Sequence, residues 1–195
     1  FPDLPISVSH EVAPIWREYE RASTTIADAA VKPMMQAFVK SLDHGLKSRG
    51  FERNWAVMKS NGGQMLAEAS ADRPIQTVLS GLSGGIIAGK TIGERQNAHN
   101  IITFDMGGTS TDVGVVANGS IGYTTAWEIE FGLPISAPFI DLTTMGAGGG
   151  SIAWINKGGM LQVGPQSAGA VPGPACYGLG GDEPTVTDAN VVLGR

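Results

Sequence analysis

Asp105-Met106-Gly107-Gly108-Thr109-Ser110-Thr111-Asp112 sets two carboxylates around two glycines and three hydroxyls. That mixture suits phosphate and a hard cation. Gly107 and Gly108 bring backbone close to a ligand without a Cβ in the way. Their amides, with the hydroxyls of Thr109, Ser110 and Thr111, make an anion-binding concavity. Asp105 is the candidate Mg²⁺ ligand, acting through water, because Mg²⁺ keeps most of its hydration and takes one or two carboxylates. Asp112 has two readings: a fixer of the turn or of a second metal-bound water, or an acceptor of turn amides, a common aspartate role. A short Gly/Thr turn is also the ordinary composition of a hairpin that binds nothing.

Gly146-Ala147-Gly148-Gly149-Gly150-Ser151 is the second cluster. It reads as a close-approach loop facing phosphate or substrate, with Gly148, Gly149 and Gly150 clearing space and Ser151 donating. The competing reading is a flexible connector, but linkers are usually polar, and this one lies between Leu142 and Ile152-Ala153-Trp154-Ile155. Asp141 and Asp188 are weaker candidates. His10, His44 and His99 lack the paired spacing of a zinc site. Cys176 has no His near it in sequence and sits among Pro, Ala and Gly, so it reads as buried and structural.

The 195 residues carry a net charge of −5 from 13 basic and 18 acidic side chains, with no Lys/Arg cluster, which argues against a nucleic-acid partner. One cysteine excludes an internal disulfide framework and suits a reducing compartment. No apolar run approaches the length of a membrane span. A cytoplasmic protein is expected. The chain starts without Met and stops just after an apolar stretch, so it reads as an internal fragment.

Several elements must position these clusters. From Ser9 to about Gly50 the chain is helical in character, with Ser9 as cap, Val12, Ile15, Trp16 and Tyr19 at helix spacing, and a second segment of Val31, Met34, Met35, Phe38, Val39, Leu42 and Leu46. These apolar residues are expected in the core. A strand around Trp55 to Met58 ends in the turn Ser60-Asn61-Gly62-Gly63. The apolar yet glycine-rich stretch from Ser80 predicts a tightly packed helix to about Gly93. Residues 100–104 predict a buried strand, with 113–117 as its return partner. Residues 163–178, rich in Gly, Pro and Ala, are expected to be loop.

Taken in order, Ser60-Asn61-Gly62-Gly63, Ser80-Gly81, the run 104–112, residues 146–153, Val163-Gly164-Pro165-Gln166-Ser167-Ala168-Gly169, Pro172-Gly173-Pro174-Ala175-Cys176-Tyr177-Gly178 and Thr187-Asp188-Ala189-Asn190 resemble the hydantoinase A / 5-oxoprolinase family, that of the N-methylhydantoinase A-like subunits. The resemblance covers residues 9–195. It implies an α/β, ribonuclease-H-like fold of the actin-like ATPase superfamily, in which two lobes close on a nucleotide. On that template residues 1–95 are the end of the first lobe, including a linking helix at 81–93, and 96–195 are the start of the second, with the second phosphate-binding hairpin at 104–117. The family's earlier Asp-x-Gly-Gly-Thr hairpin has no counterpart before Asp105. Ser80-Gly81-Leu82-Ser83 departs from the family's Ser-Gly-Pro-Ala, and Asp141-Leu142-Thr143 has no histidine two residues after the aspartate.

The resemblance implies ATP and Mg²⁺ as cofactors and the opening of a small cyclic amide, a hydantoin or 5-oxoproline, after phosphorylation of its carbonyl oxygen. Asp105 and Asp112 are then the catalytic candidates, and a hydantoinase B-type subunit or domain is the expected partner. Two other functions share the hairpin: the ATP-using subunit of an acetone-type ketone carboxylase, and a non-catalytic nucleotide switch.

Overall fold

A computed structural model describes residues 4–129 and 132–195. The chain forms two compact units, one of residues 1–96 and 120–141, the other of 97–119 and 142–195.

In the first unit, helix α1 (Ser9–Val12) is a single turn, with Val8 rather than Ser9 at its N-cap. Pro14 disfavours helical backbone at Ala13. The helix expected over Val12, Ile15, Trp16 and Tyr19 therefore breaks there, and Trp16 lies outside any helix, 97% exposed. Helix α2 (Glu18–Lys47) then runs for 30 residues. It corrects the expectation that its apolar residues are core. Thr24, Asp28, Lys32 and Val39 are its buried positions, while Met34 and Phe38 are exposed. The polar stripe wins because backbone groups of three other segments need partners there. Lys32 Nζ donates to the Ile6 carbonyl (2.9 Å), Ser7 Oγ to Asp28 (2.6 Å), the Ile75 amide to Asp28 (3.1 Å), and the Ser136 amide to Thr24 Oγ1 (2.9 Å). Asp28 and Lys32 also pair at 3.4 Å.

Strands β1 (Ala56–Met58) and β2 (Gln64–Leu66) form an antiparallel hairpin across the expected turn, where Gly62 has φ +78°. Helix α3 (Ala67–Asp72) and a 3-10 turn (Pro74–Thr77) lead into helix α4 (Ser80–Arg95). The glycine-rich stretch is thus helical. Gly84 faces a close neighbour, since a Cβ there would lie 3.1 Å from the Met58 sulfur, whereas Gly81 faces open space. Ser83, fully buried on α4, donates to the Ser60 carbonyl (2.7 Å). Residues 120–141 supply much of the core: Ile135, Ala137 and Phe139 pack with Ile75, and Trp127 lies 6.1 Å from the Phe139 ring.

The second unit is built on strands β3 (Ile101–Met106), β4 (Thr111–Ala117) and β5 (Leu142–Met145), antiparallel in the order β5-β4-β3. The strand pair falls where the sequence put it, but β3 is not a buried strand. Pairing sets Ile101 opposite Val116 and Ile102 opposite Val115. Because side chains alternate between faces, only the Ile101/Val116 side is covered. Val116 is 1% exposed, against 72% for Ile102 and 62% for Phe104. Strands β6 (Ser151–Ile155) and β7 (Leu161–Ser167) form a second antiparallel pair. Residues 163–167, expected as loop, are therefore strand. A bulge between Ser151 and Ala153, with Gly164 at φ +67°, accommodates Pro165. Helix α5 (Val186–Val192) starts at a capping box in which Thr185 accepts from the Asp188 amide and Asp188 accepts from that of Thr185.

Candidate functional site

The β3-β4 register places Asp105 directly opposite Asp112, and the β5-β4 register places Thr144 opposite Asp112. Residues directly opposite share a sheet face with their Cβ atoms close together. Asp105, Asp112 and Thr144 therefore form a row across three strands. Thr144 Oγ1 donates to Asp112 Oδ1 at 2.7 Å. Like charges directly opposite destabilise a sheet unless something shares them. Among the described residues no third His, Cys, Asp or Glu completes a metal cluster. Two carboxylates with one hydroxyl make a hard, incomplete oxygen set, which suits Mg²⁺ completed by water and phosphate.

At the hairpin tip, Gly107, Gly108 and Thr109 are exposed and Ser110 is half-buried. Two anticipated donors are already engaged within the protein. The Gly107 amide donates to the Ser110 carbonyl (2.9 Å), closing the turn, and Thr111, 1% exposed, gives its hydroxyl to the Ala147 carbonyl.

The glycine cluster does make a close approach, but what comes close is the hairpin's own backbone. A Cβ on Gly148 would lie 2.7 to 2.8 Å from backbone atoms of Gly107, Gly108 and Thr109, and one on Gly150 would lie 2.9 Å from the Gly108 oxygen. The Gly149 amide donates to the Gly107 carbonyl (2.9 Å) and the Gly150 amide to that of Gly108 (2.6 Å). Ser151 is fully buried, its hydroxyl accepting from the Gly148 amide (2.8 Å). The cluster clasps the tip.

Asp188 is a structural acceptor. It takes hydrogen bonds from the Thr185 hydroxyl (2.7 Å) and from the amides of Thr185 (2.8 Å), Cys176 (2.7 Å) and Ala175 (3.3 Å). The Thr185 hydroxyl first, and then Cys176, hold its carboxyl well below the usual aspartate range. Cys176 is exposed, not buried as the sequence suggested, because the 3-10 turn Ala175–Tyr177 presents its side chain outward. The Asp188 carboxylate accepts from its thiol and pushes it above the usual thiol range. Asp141 is exposed and belongs to the first unit, whereas the row belongs to the second.

The family model described as Hydantoinase/oxoprolinase matches residues 21–195. The chain belongs to that family. It is 41% identical over 193 residues to caprolactamase subunit alpha of Pseudomonas jessenii, covering 99% of this chain and 28% of that one. Against 5-oxoprolinase of Saccharomyces cerevisiae it is 38% identical over 192 residues, covering 97% of this chain and 14% of that one. Among solved structures, nucleotide-free acetone carboxylase superposes with a TM-score of 0.79 at 30% identity, over 95% of this chain and 26% of the other. The ATP-dependent caprolactamase of P. jessenii superposes with a TM-score of 0.72 at 40% identity, over 96% of this chain and 27% of the other. The chain thus spans less than a third of each of these family members.

Sequence reasoning missed Thr144 and Thr187. Thr144 joins the row only through strand register, which no local pattern displays. Thr187 stood in a quoted motif, but its partner lies 38 residues away, at the Gly149 carbonyl.

Proposed function

We propose that this chain is part of the ATP-using subunit of an enzyme that opens a cyclic amide of the hydantoin or 5-oxoproline type. The observation that carries this reading is the Asp105-Asp112-Thr144 row beside an outward-facing glycine tip. A pair of facing carboxylates is a local cost, and such costs concentrate at functional sites. Asp105 and Asp112 would hold Mg²⁺ through water, and the ion would offset phosphate charge. The amides and hydroxyls at Gly108, Thr109 and Ser110 would hold the terminal phosphates of ATP. Gly107, Thr111, Gly148, Gly149, Gly150 and Ser151 serve the same site by fixing the tip.

Amide resonance makes a ring carbonyl a poor electrophile. Phosphorylating its oxygen turns that oxygen into a leaving group, and the protein's share of the work is positioning and charge stabilisation. The fold proposal goes with it: residues 1–95, with the linking helix 81–93, belong to one ribonuclease-H-like lobe of actin-like type, and 96–195 to the next. The names caprolactamase subunit alpha and acetophenone carboxylase gamma subunit support a partner subunit, for which the proposed type is hydantoinase B. The compartment proposed is the cytoplasm; no described helix is long and apolar enough to cross a membrane. Ketone carboxylation is the second reading, favoured by the higher TM-score to acetone carboxylase, whereas the higher identities, 40% and 41%, favour amide opening.

The test uses the full-length protein with its partner. Asp105→Asn is expected to keep its melting temperature and lose at least about a hundredfold in ATP turnover, the order seen when a charge-stabilising group is removed. Product analysis with hydantoins, 5-oxoproline, and acetone plus bicarbonate separates the two chemistries. A wild-type rate in Asp105→Asn rejects the site.

A further inference from the structure

The Gly149-Gly150 peptide group is held at both ends. Its carbonyl oxygen accepts from both the amide and the hydroxyl of Thr187, each at 2.8 Å. Its N–H donates to the Gly108 carbonyl at 2.6 Å. A peptide group is one rigid plane, so fixing one end orients the other. Thr187 is the second residue of α5, where an amide has no partner inside the helix. Both of its donors are spent on a single carbonyl in a distant loop.

The consequence reaches the hairpin tip. In a trans peptide the C=O and the following N–H point in opposite directions. With the Gly107 and Gly108 carbonyls bound by the amides of Gly149 and Gly150, the amides of Gly108 and Thr109 are aimed away from the glycine loop. Successive amides turned the same way form a nest for an anion. A Cβ at Gly149 would sit 2.7 Å from Thr187 Oγ1, so this loop position admits the Thr187 hydroxyl only if it carries no side chain.

We infer that Thr187 is a positioning residue for phosphate, acting through the Gly149-Gly150 peptide to aim the Gly108 and Thr109 amides. The inference rests on the hairpin reading above. A threonine 78 residues beyond Thr109 would thereby tune a site it does not touch.

The experiment compares Thr187→Val, Thr187→Ser and Asp105→Asn in the full-length protein. It measures ATP kcat and KM, the melting temperature without nucleotide, and hydrogen exchange over 104–112 and 146–151. Thr187→Val removes the hydroxyl and keeps the amide bond, so kcat should fall about fivefold, the scale of one neutral hydrogen bond. Exchange should quicken in both segments and stay unchanged over 80–95. Thr187→Ser should restore kcat, a rescue that a purely packing role would not give. If Thr187→Val does not fold, Gly149→Ala pushes the same hydroxyl off the carbonyl and should give the same loss. Wild-type kcat in Thr187→Val or, where that variant does not fold, in Gly149→Ala, beside an inactive Asp105→Asn, overturns the positioning role alone, as does a Thr187→Ser as impaired as Thr187→Val. Wild-type turnover in Asp105→Asn removes the hairpin reading and this inference with it.

Discussion

Helix α2 and the β3-β4 hairpin tip are both fixed by polar contacts, but by opposite means. On α2, three buried side chains at four-residue spacing reach out to the backbone of distant segments. At the tip, backbone reaches backbone: the glycines opposite contribute their amides and the room that a missing side chain leaves. The difference has a functional logic. Side chains that hold a fold together cannot also hold a ligand, and among the described residues the clasp at the tip leaves the side chains of Asp105, Thr109 and Ser110 unspent. Rigid backbone support of this kind is what a preorganised charge-binding site requires.

The largest effect should come from the side-chain network. Asp28 is fully buried and serves Ser7, Ile75 and Lys32 at once. Asp28→Ala would leave a buried ammonium without its partner, a loss of about 3 to 5 kcal/mol of stability. Denaturant unfolding read through exchange protection of α2 measures it, and protection in the second unit should be unaffected. A loss below about 1 kcal/mol, the scale of a surface ion pair, would mean that α2 does not depend on its polar stripe.

The next pair of variants separates clasp from ligand contact. Gly148→Ala forces a methyl group to within 2.8 Å of three hairpin residues, and backbone cannot yield as a side-chain end can. It should cost about 1 to 3 kcal/mol, the ordinary penalty for overpacking. A Cβ at Gly108 meets nothing within 4 Å. Gly108→Val should therefore leave the melting temperature of the full-length protein nearly unchanged while weakening Mg-ATP binding, read by titration calorimetry. If Gly108→Val destabilises as much as Gly148→Ala, the tip is structural throughout and its outward face has no special role.

This contrast also explains what could be read from the sequence. The hairpin, the glycine-rich helix and the turn at Ser60-Asn61-Gly62-Gly63 were legible because glycine and β-branched residues are constrained by local backbone geometry. The clasp was half legible. Clustered glycines announced a close approach, but not whether backbone or ligand would fill the space. The orientation of α2 was not legible, because Met34 and Phe38 read as core by type alone, whereas Thr24, Asp28 and Lys32 are drawn inward by carbonyls and amides more than twenty residues away. Residues 163–167 read as loop for a related reason: a bulge rescues Gly164-Pro165 as strand, and a bulge depends on the partner strand. Facing carboxylates likewise need register before they become a pair.

The smallest effect tests a place where a charged side chain anchors the second unit. Asp188 draws the 175–176 segment onto the start of α5, and its carboxylate sits against the Cys176 thiol. Its folded-state pKa is depressed, so the stability it contributes is fully present above the ordinary aspartate value, about 3.9, and is lost as pH falls below that toward the folded-state value. Protection from hydrogen exchange over 185–192, taken relative to the intrinsic amide rate at each pH, should therefore fall on acidification below pH ~4 in the wild type and show no such step in Asp188→Asn. The thiol provides an independent reading. Alkylation proceeds through the thiolate, which the neighbouring carboxylate disfavours. Cys176, though exposed, should react with iodoacetamide near neutral pH more slowly than in the unfolded chain, and Asp188→Asn should speed the reaction. Equal alkylation rates in the two proteins would place the Cys176 thiol outside the influence of the Asp188 carboxylate.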